Sequence, residues 1–186
     1  MIIQPDYWTG SECVKNEVPW QTPDSIRLLD RICLLNHKVL EIGTGGSTLF
    51  YARRCQCVTA IETNREWYQI IQKVLKERSI TNVDYFYIDN QEEIEDTLKS
   101  LKKNFDIISV DSVHGYDRSA FLRTLLKTQH MVSTLVLDNY ADKTLFPEHH
   151  DKSIEELNRL CGRGWKGFDF DDPKWTGNGT RILHRT

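Results

Sequence analysis

The residues with chemistry in them fall at the ends of short apolar runs. In "VLEIGTGGSTLF", residues 39–50, the carboxylate of Glu41 stands two positions before Gly43, and Gly45 and Gly46 follow closely. Glycines so spaced let a backbone approach a ligand. Glu62 closes "CVTAIE" about twenty residues on, where a carboxylate can accept both hydroxyls of a ribose. Further along, "SVDSVHGYDR" puts Asp111 three residues before His114, and "LVLDNY" carries Asp138 and Asn139. Asp111, Asp138 and Asn139 offer three oxygen donors of the kind that hard cations such as Mg²⁺ or Ca²⁺ prefer. His114 has the chemistry of a general base that needs no metal.

Each of these groups needs an element to hold it. "TPDSIRLLDRICLL" reads as a helix with Thr22 as cap and Pro23 in the first helical position, its Ile26, Leu29, Ile32 and Cys33 at helical spacing. "KVLEIG" then reads as a strand, "STLFYARRC" as a helix and "CVTAIE" as a strand. In "REWYQIIQKVLKERS" the spacing predicts one helical face of Trp67, Ile70, Ile71, Val74 and Leu75. "VDYFYID", "FDIISVD" and "STLVLDN" continue as strands, separated by the helices "QEEIEDTLKSL" and "RSAFLRTLLKTQH". This alternation with short connections predicts a doubly wound α/β fold, its sheet mostly parallel with helices on both faces. After a last helix, "KSIEELNRLC", the runs "WKGFDFDD" and "TRILHRT" are joined by "PKWTGNG", which has room for a hairpin and none for a crossover helix. A seven-stranded sheet finished by a C-terminal antiparallel hairpin is expected. Its domain would span residues 22–186, with 1–21 as an extension or lid.

Composition limits the partners. The 186 residues carry a net charge of -3, are 39% hydrophobic and show no dense run of Lys and Arg. That balance argues against a nucleic-acid partner. No stretch reaches the ~20 apolar residues of a membrane helix, and "MIIQPDYWTG" lacks the pattern of a signal peptide. Five cysteines without metal-knuckle spacing read as reduced thiols of a cytoplasmic protein. The oligomeric state stays open, a homodimer included. His149 and His150 in "PEHHD" read as loop. Tyr7, Trp8 and Trp20 precede the sheet and suit either a water-excluding lid or packing over a sheet edge.

"VLEIGTGGSTL…VTAIETN" resembles the cofactor-binding half of the class I S-adenosylmethionine-dependent methyltransferases. The resemblance implies that Glu41 helps hold the amino end of methionine. It implies that the loop of Gly43, Thr44, Gly45, Gly46, Ser47 and Thr48 admits adenosine, and that Glu62 binds ribose. Ser47 stands where many members have a third glycine. Asp89, after the third strand, falls where members contact the adenine amino group, or else caps the following helix. Asp111 lies at the cofactor cleft as well. For a dinucleotide the G-x-G-x-x-G pattern needs a glycine where Thr48 stands, which weakens a nicotinamide reading.

On the acceptor side, Asp111, Asp138 and Asn139 resemble the metal site of the catechol and caffeoyl-type O-methyltransferases, whose ion binds and acidifies a substrate hydroxyl. That group has a catalytic lysine where this chain has His114. "GTGGSTL", "DSVHGYDR", "LDNY" and "GFDF…GTRILHR" are closer still to a less characterised methyltransferase-like branch linked to polysaccharide and small-molecule pathways. The fourth strand lacks the Pro-Pro-aromatic tetrad of nucleic-acid amino methylases. Methyl transfer to a hydroxyl oxygen of a small-molecule acceptor follows as the expectation, with His114 and Asp111 as catalytic groups. A nicotinamide oxidoreductase and a non-catalytic adenosyl-binding module are the alternatives. Arg118 is read either as a contact for an anionic substrate group or as a solvated residue.

Overall fold

The computed structural model describes residues 9–111, 118–128, 132–140, 159, 164–171 and 179–185. Within them the predicted alternation is present. Its elements are α1 (Gly10–Asn16), α2 (Pro23–Ile32), β1 (Lys38–Ile42), α3 (Gly46–Arg54), β2 (Cys57–Glu62), α4 (Arg65–Glu77), β3 (Val83–Tyr87), α5 (Gln91–Ser100), β4 (Ile107–Val110), α6 (Arg118–Thr128), β5 (Thr134–Asp138), β6 (Trp165–Phe170) and β7 (Thr180–Arg185). The strands form one sheet in the order β3-β2-β1-β4-β5-β7-β6. Neighbours from β3 through β5 pair in parallel, and β7 runs antiparallel to both β5 and β6. The helix expected over "KSIEELNRLC" lies outside the described residues except for helical Arg159, and most of "PKWTGNG" lies outside them too. No helix among the described residues is long and apolar enough to cross a membrane.

Side-chain alternation along β1 decides where the site carboxylate goes. Leu40 and Ile42 enter a cluster with Ile94 and Leu98 of α5 and Phe121 and Leu125 of α6. Val39 enters the opposite cluster with Leu29 of α2 and Phe50 and Tyr51 of α3. The two-residue period therefore puts Glu41 on the α3 side, where it is buried.

Three local departures from expectation are seen, and local chemistry explains the first two. In α4, Ile71 and Leu75 are buried while Ile70 is 47% exposed. At ~100° per residue the buried stripe centres between Ile71 and Val74, so Ile70 falls at its solvent edge. The cap of α5 is Asn90, whose Oδ1 accepts from the backbone N–H of Glu92 (2.9 Å) and Glu93 (3.1 Å), so the capping role considered for Asp89 belongs to its neighbour. Thr22 occupies the cap position of α2, yet its hydroxyl makes no cap bond.

The segment before residue 22 contains a helix. Thr9 and Glu12 form a reciprocal capping box, with Thr9 N donating to Glu12 Oε2 at 2.7 Å and Glu12 N to Thr9 Oγ1 at 3.3 Å. Cys13, Val14 and Val18 are buried. Glu17, which ends α1, accepts from Arg53 of α3 at 3.1 Å and from Arg78, after α4, at 2.8 Å. Tyr7 and Trp8 lie outside the described residues. Trp20 is half exposed and flanks Gly10 of α1 together with Trp67 of α4.

Candidate functional site

Strand order reverses between β1 and β4, so a crevice opens at the carboxyl ends of these strands. Gly43 closes it from below. Its backbone N–H donates to Ile61 O (2.9 Å), and its φ of +84° is one that only glycine adopts without strain. A Cβ there would overlap the carbonyl oxygen of Asp111 at the end of β4. Gly46 serves a different neighbour, because a Cβ on it would overlap the carbonyl oxygens of Cys13 and Val18 around the end of α1. One glycine brings β1 against β4; the other seats α1 on the loop.

Glu62 is buried and its carboxylate is fully engaged. Oε2 accepts from Thr44 N (3.0 Å) and Thr44 Oγ1 (2.5 Å), and Oε1 from Thr63 N (2.9 Å) and Asn64 N (2.8 Å). Tyr85 Oη lies 2.8 Å from the same Thr44 hydroxyl, and Trp67 Nε1 donates to Thr44 O at 2.6 Å. The loop is thus tied at Thr44 to β2, β3 and α4. Neither Trp67 nor Tyr85 was singled out for this work by the sequence. An indole N–H facing a buried environment needs an acceptor, which was the signal available for Trp67.

Glu41 forms the other bracket. Its Oε2 accepts from Thr48 Oγ1 at 2.6 Å, and that oxygen in turn accepts from Gly45 N at 3.1 Å. Oε1 is buried with no hydrogen-bond partner among the described residues. Burial pushes the Glu41 carboxyl up to about 8; the hydroxyls of Ser47 and Thr48 offset part of this, while the charges of Asp111 and Glu62 add to it. Asp89 is exposed at the end of β3, where it accepts from Tyr87 Oη at 2.6 Å.

Across the crevice, Asp138 is buried at the end of β5. Its Oδ1 accepts from Thr180 Oγ1 (2.7 Å), its register partner on β7, and its Oδ2 from Asn139 Nδ2 (3.0 Å). Arg118, the first residue of α6, donates from Nη1 to the Asp138 backbone carbonyl. Burial raises the Asp138 carboxyl well above the usual range, helped by the charge of Asp111 and opposed by Thr180, Arg118 and the Asn139 backbone. Asp111 is raised as well, by burial first; the charge of Arg118 opposes this and that of Glu62 adds to it.

Solved structures share this architecture. An O-methyltransferase from Bacillus cereus in complex with S-adenosylhomocysteine (SAH) superposes at a TM-score of 0.72 and 17% identity, covering 100% of this chain and 94% of that one. The O-methyltransferase TomG from Streptomyces achromogenes, in complex with S-adenosylmethionine, gives 0.65 at 19% identity, covering 95% and 89%. An rRNA methylase from Streptococcus thermophilus gives 0.65 at 12% identity, covering 87% and 94%. The chain has the class I methyltransferase fold. No protein-family model matches the sequence, and no curated protein aligns with it.

In this methyltransferase fold the loop from Gly43 to Thr48, together with Glu41 and Glu62, gathers at one crevice, with Asp111, Asp138 and Asn139 along its other wall. His114, His149 and His150 lie outside the described residues. The donor set expected for a divalent cation does not fit one as it stands. Both carboxylate oxygens of Asp138 are engaged, one of them by the amide of Asn139, and a guanidinium already stands beside the acids. Among the described residues no group of three or more His, Cys, Asp and Glu converges as metal ligands.

Proposed function

We propose that this chain transfers the methyl group of S-adenosylmethionine to a hydroxyl oxygen of a small-molecule acceptor. The observation that carries this reading is the bracketed loop. Glu41 and Glu62 stand on either side of a glycine turn at the switch point of the sheet, where open α/β folds take their ligands. Glu62 would meet the ribose, with Thr44 holding its carboxylate in the loop, Asp89 the adenine side, and the unpartnered Oε1 of Glu41 the methionine ammonium. Gly43, Gly45, Gly46, Ser47 and Thr48 would form the wall between these contacts. The O-methyltransferases with the same fold, solved with SAH or S-adenosylmethionine, support S-adenosylmethionine as the cofactor.

In the transfer, the acceptor oxygen attacks the methyl carbon in line with the sulfonium sulfur. The new C–O bond forms as the C–S bond breaks, its electron pair returns to sulfur, and SAH leaves neutral at sulfur. The acceptor proton passes to Asp111 or to His114. Holding the two reactants in line supplies most of the rate enhancement.

Calorimetric titration with SAH, beside NAD and repeated on Glu62→Ala, tests the cofactor. Binding of SAH alone, lost in the variant, supports the reading and justifies an acceptor search. Folded protein that ignores SAH, or prefers NAD, overturns it. Binding without turnover across broad acceptor panels would leave a non-catalytic adenosyl module.

A further inference from the structure

The acceptor wall holds the acids of a cation site in an arrangement of another kind. Asp138 spends Oδ1 on Thr180 and Oδ2 on Asn139, and Asn139, at φ +50°, turns its amide nitrogen back to that carboxylate. The amide nitrogen of one prospective ligand residue is therefore bonded to the carboxylate of another. Arg118 approaches from the start of α6 and bonds the Asp138 carbonyl, and its charge favours the ionised form of both Asp111 and Asp138 against the burial that raises them. A guanidinium stays charged at every accessible pH and offers several donors in one plane, so it can hold two acidic strand ends at once.

We propose that Arg118 takes the place of a divalent cation between the ends of β4 and β5, acting as the positioning residue for Asp111 and Asp138, and that this site works without metal. The inference rests on the reading of this crevice as an acceptor site. A doubly charged ion at the same place would be repelled by the guanidinium that bonds the Asp138 carbonyl and would compete with Thr180 and Asn139 for the Asp138 carboxylate. Removing the guanidinium reverses that balance, leaving two neighbouring acids with no cation beside them.

The test is titration of the full chain with Mn²⁺ and with Mg²⁺ by calorimetry, on the wild type, Arg118→Met, and Arg118→Met combined with Asp138→Asn. The wild type is expected to show no saturable uptake at millimolar ion, Arg118→Met to take up a single equivalent of Mn²⁺, and the double variant to lose it. Stoichiometric uptake by the wild type that Asp138→Asn removes overturns the proposal. A folded Arg118→Met that binds neither ion overturns it too, because the guanidinium then occupies no cation's place. Should Arg118→Met fail to fold, refolding with and without Mn²⁺ decides: recovery with the ion supports the proposal, and no recovery refutes it. SAH titrations on the same samples report separately on the cofactor reading.

Discussion

Glu41 connects the buried geometry of the loop to a measurable proton. Its carboxyl is pushed up to about 8, so at pH 7 roughly ten chains hold the proton for each that has lost it. Oε1 has no partner among the described residues, and an ammonium arriving there needs the ionised form. Binding at pH 7 should therefore release nearly one proton, at a cost of about 1.4 kcal/mol relative to an already ionised site. Affinity should rise about tenfold from pH 6 to pH 7, a range in which the ligand amine keeps its charge. Calorimetry of SAH binding in phosphate and in Tris reads the released proton directly, because the two buffers ionise with different enthalpies. Glu41→Gln should bind more weakly, with equal heats in both buffers and no pH slope. Equal heats for the wild type, or a slope that survives in Glu41→Gln, would refute the reasoning.

The same carboxyl makes stability fall with pH. Its folded value lies above the ordinary 4.5, so its contribution is complete below about pH 4.5, fades as pH rises, and is gone above about 8. The displacement sets an upper bound of about 5 kcal/mol on the loss, and urea midpoints for wild type against Glu41→Gln should diverge across that window. Thr48→Val leaves both Glu41 Oε2 and Gly45 N without the hydroxyl that joins them, and should cost about 2–4 kcal/mol in urea unfolding. A cost near zero would mean that water replaces it. Gly43→Ala should destabilise by about 2 kcal/mol or more and abolish SAH binding. Gly46→Ala should instead remove hydrogen-exchange protection selectively from α1.

The sheet was legible because its signals are local and repeated. Alternating apolar runs and helical periods mark each element, and the short final loop betrays the antiparallel β7. What escaped depends on contacts distant in sequence. Gly46 reads as a loop glycine by type, and only the packing of α1 shows that its missing side chain makes room for Cys13 and Val18. Thr180 became a partner of Asp138 through the register of β5 and β7, which no local pattern encodes. The helix α1 was legible in "TGSE", a capping-box signature, but lay in a segment read as an extension. Asn90 outcompetes Asp89 for the α5 cap because it sits one residue nearer the first free backbone N–H groups.

One consequence of the loop's wiring separates two ways of binding ribose. Glu62 has about four acceptor positions, and four protein donors occupy them. The three backbone N–H groups are fixed by the turn, so the Thr44 hydroxyl is the donor a ribose hydroxyl can displace. Its neighbour Tyr85 Oη, at 2.8 Å, can accept the Thr44 proton when that happens. Thr44→Val removes the competitor and keeps the backbone N–H, so SAH affinity should rise by about tenfold, the lower end of the worth of a hydrogen bond to a carboxylate. The variant should also unfold slightly earlier in urea without SAH, because the loop loses a tie to β2. If affinity falls instead, the hydroxyl belongs to the pocket that ligand enters, and Glu62 acts as the anchor of the loop rather than as its ribose contact. Measured beside Glu62→Gln, which keeps the shape and loses the charge, the pair of variants assigns the carboxylate to one role or the other.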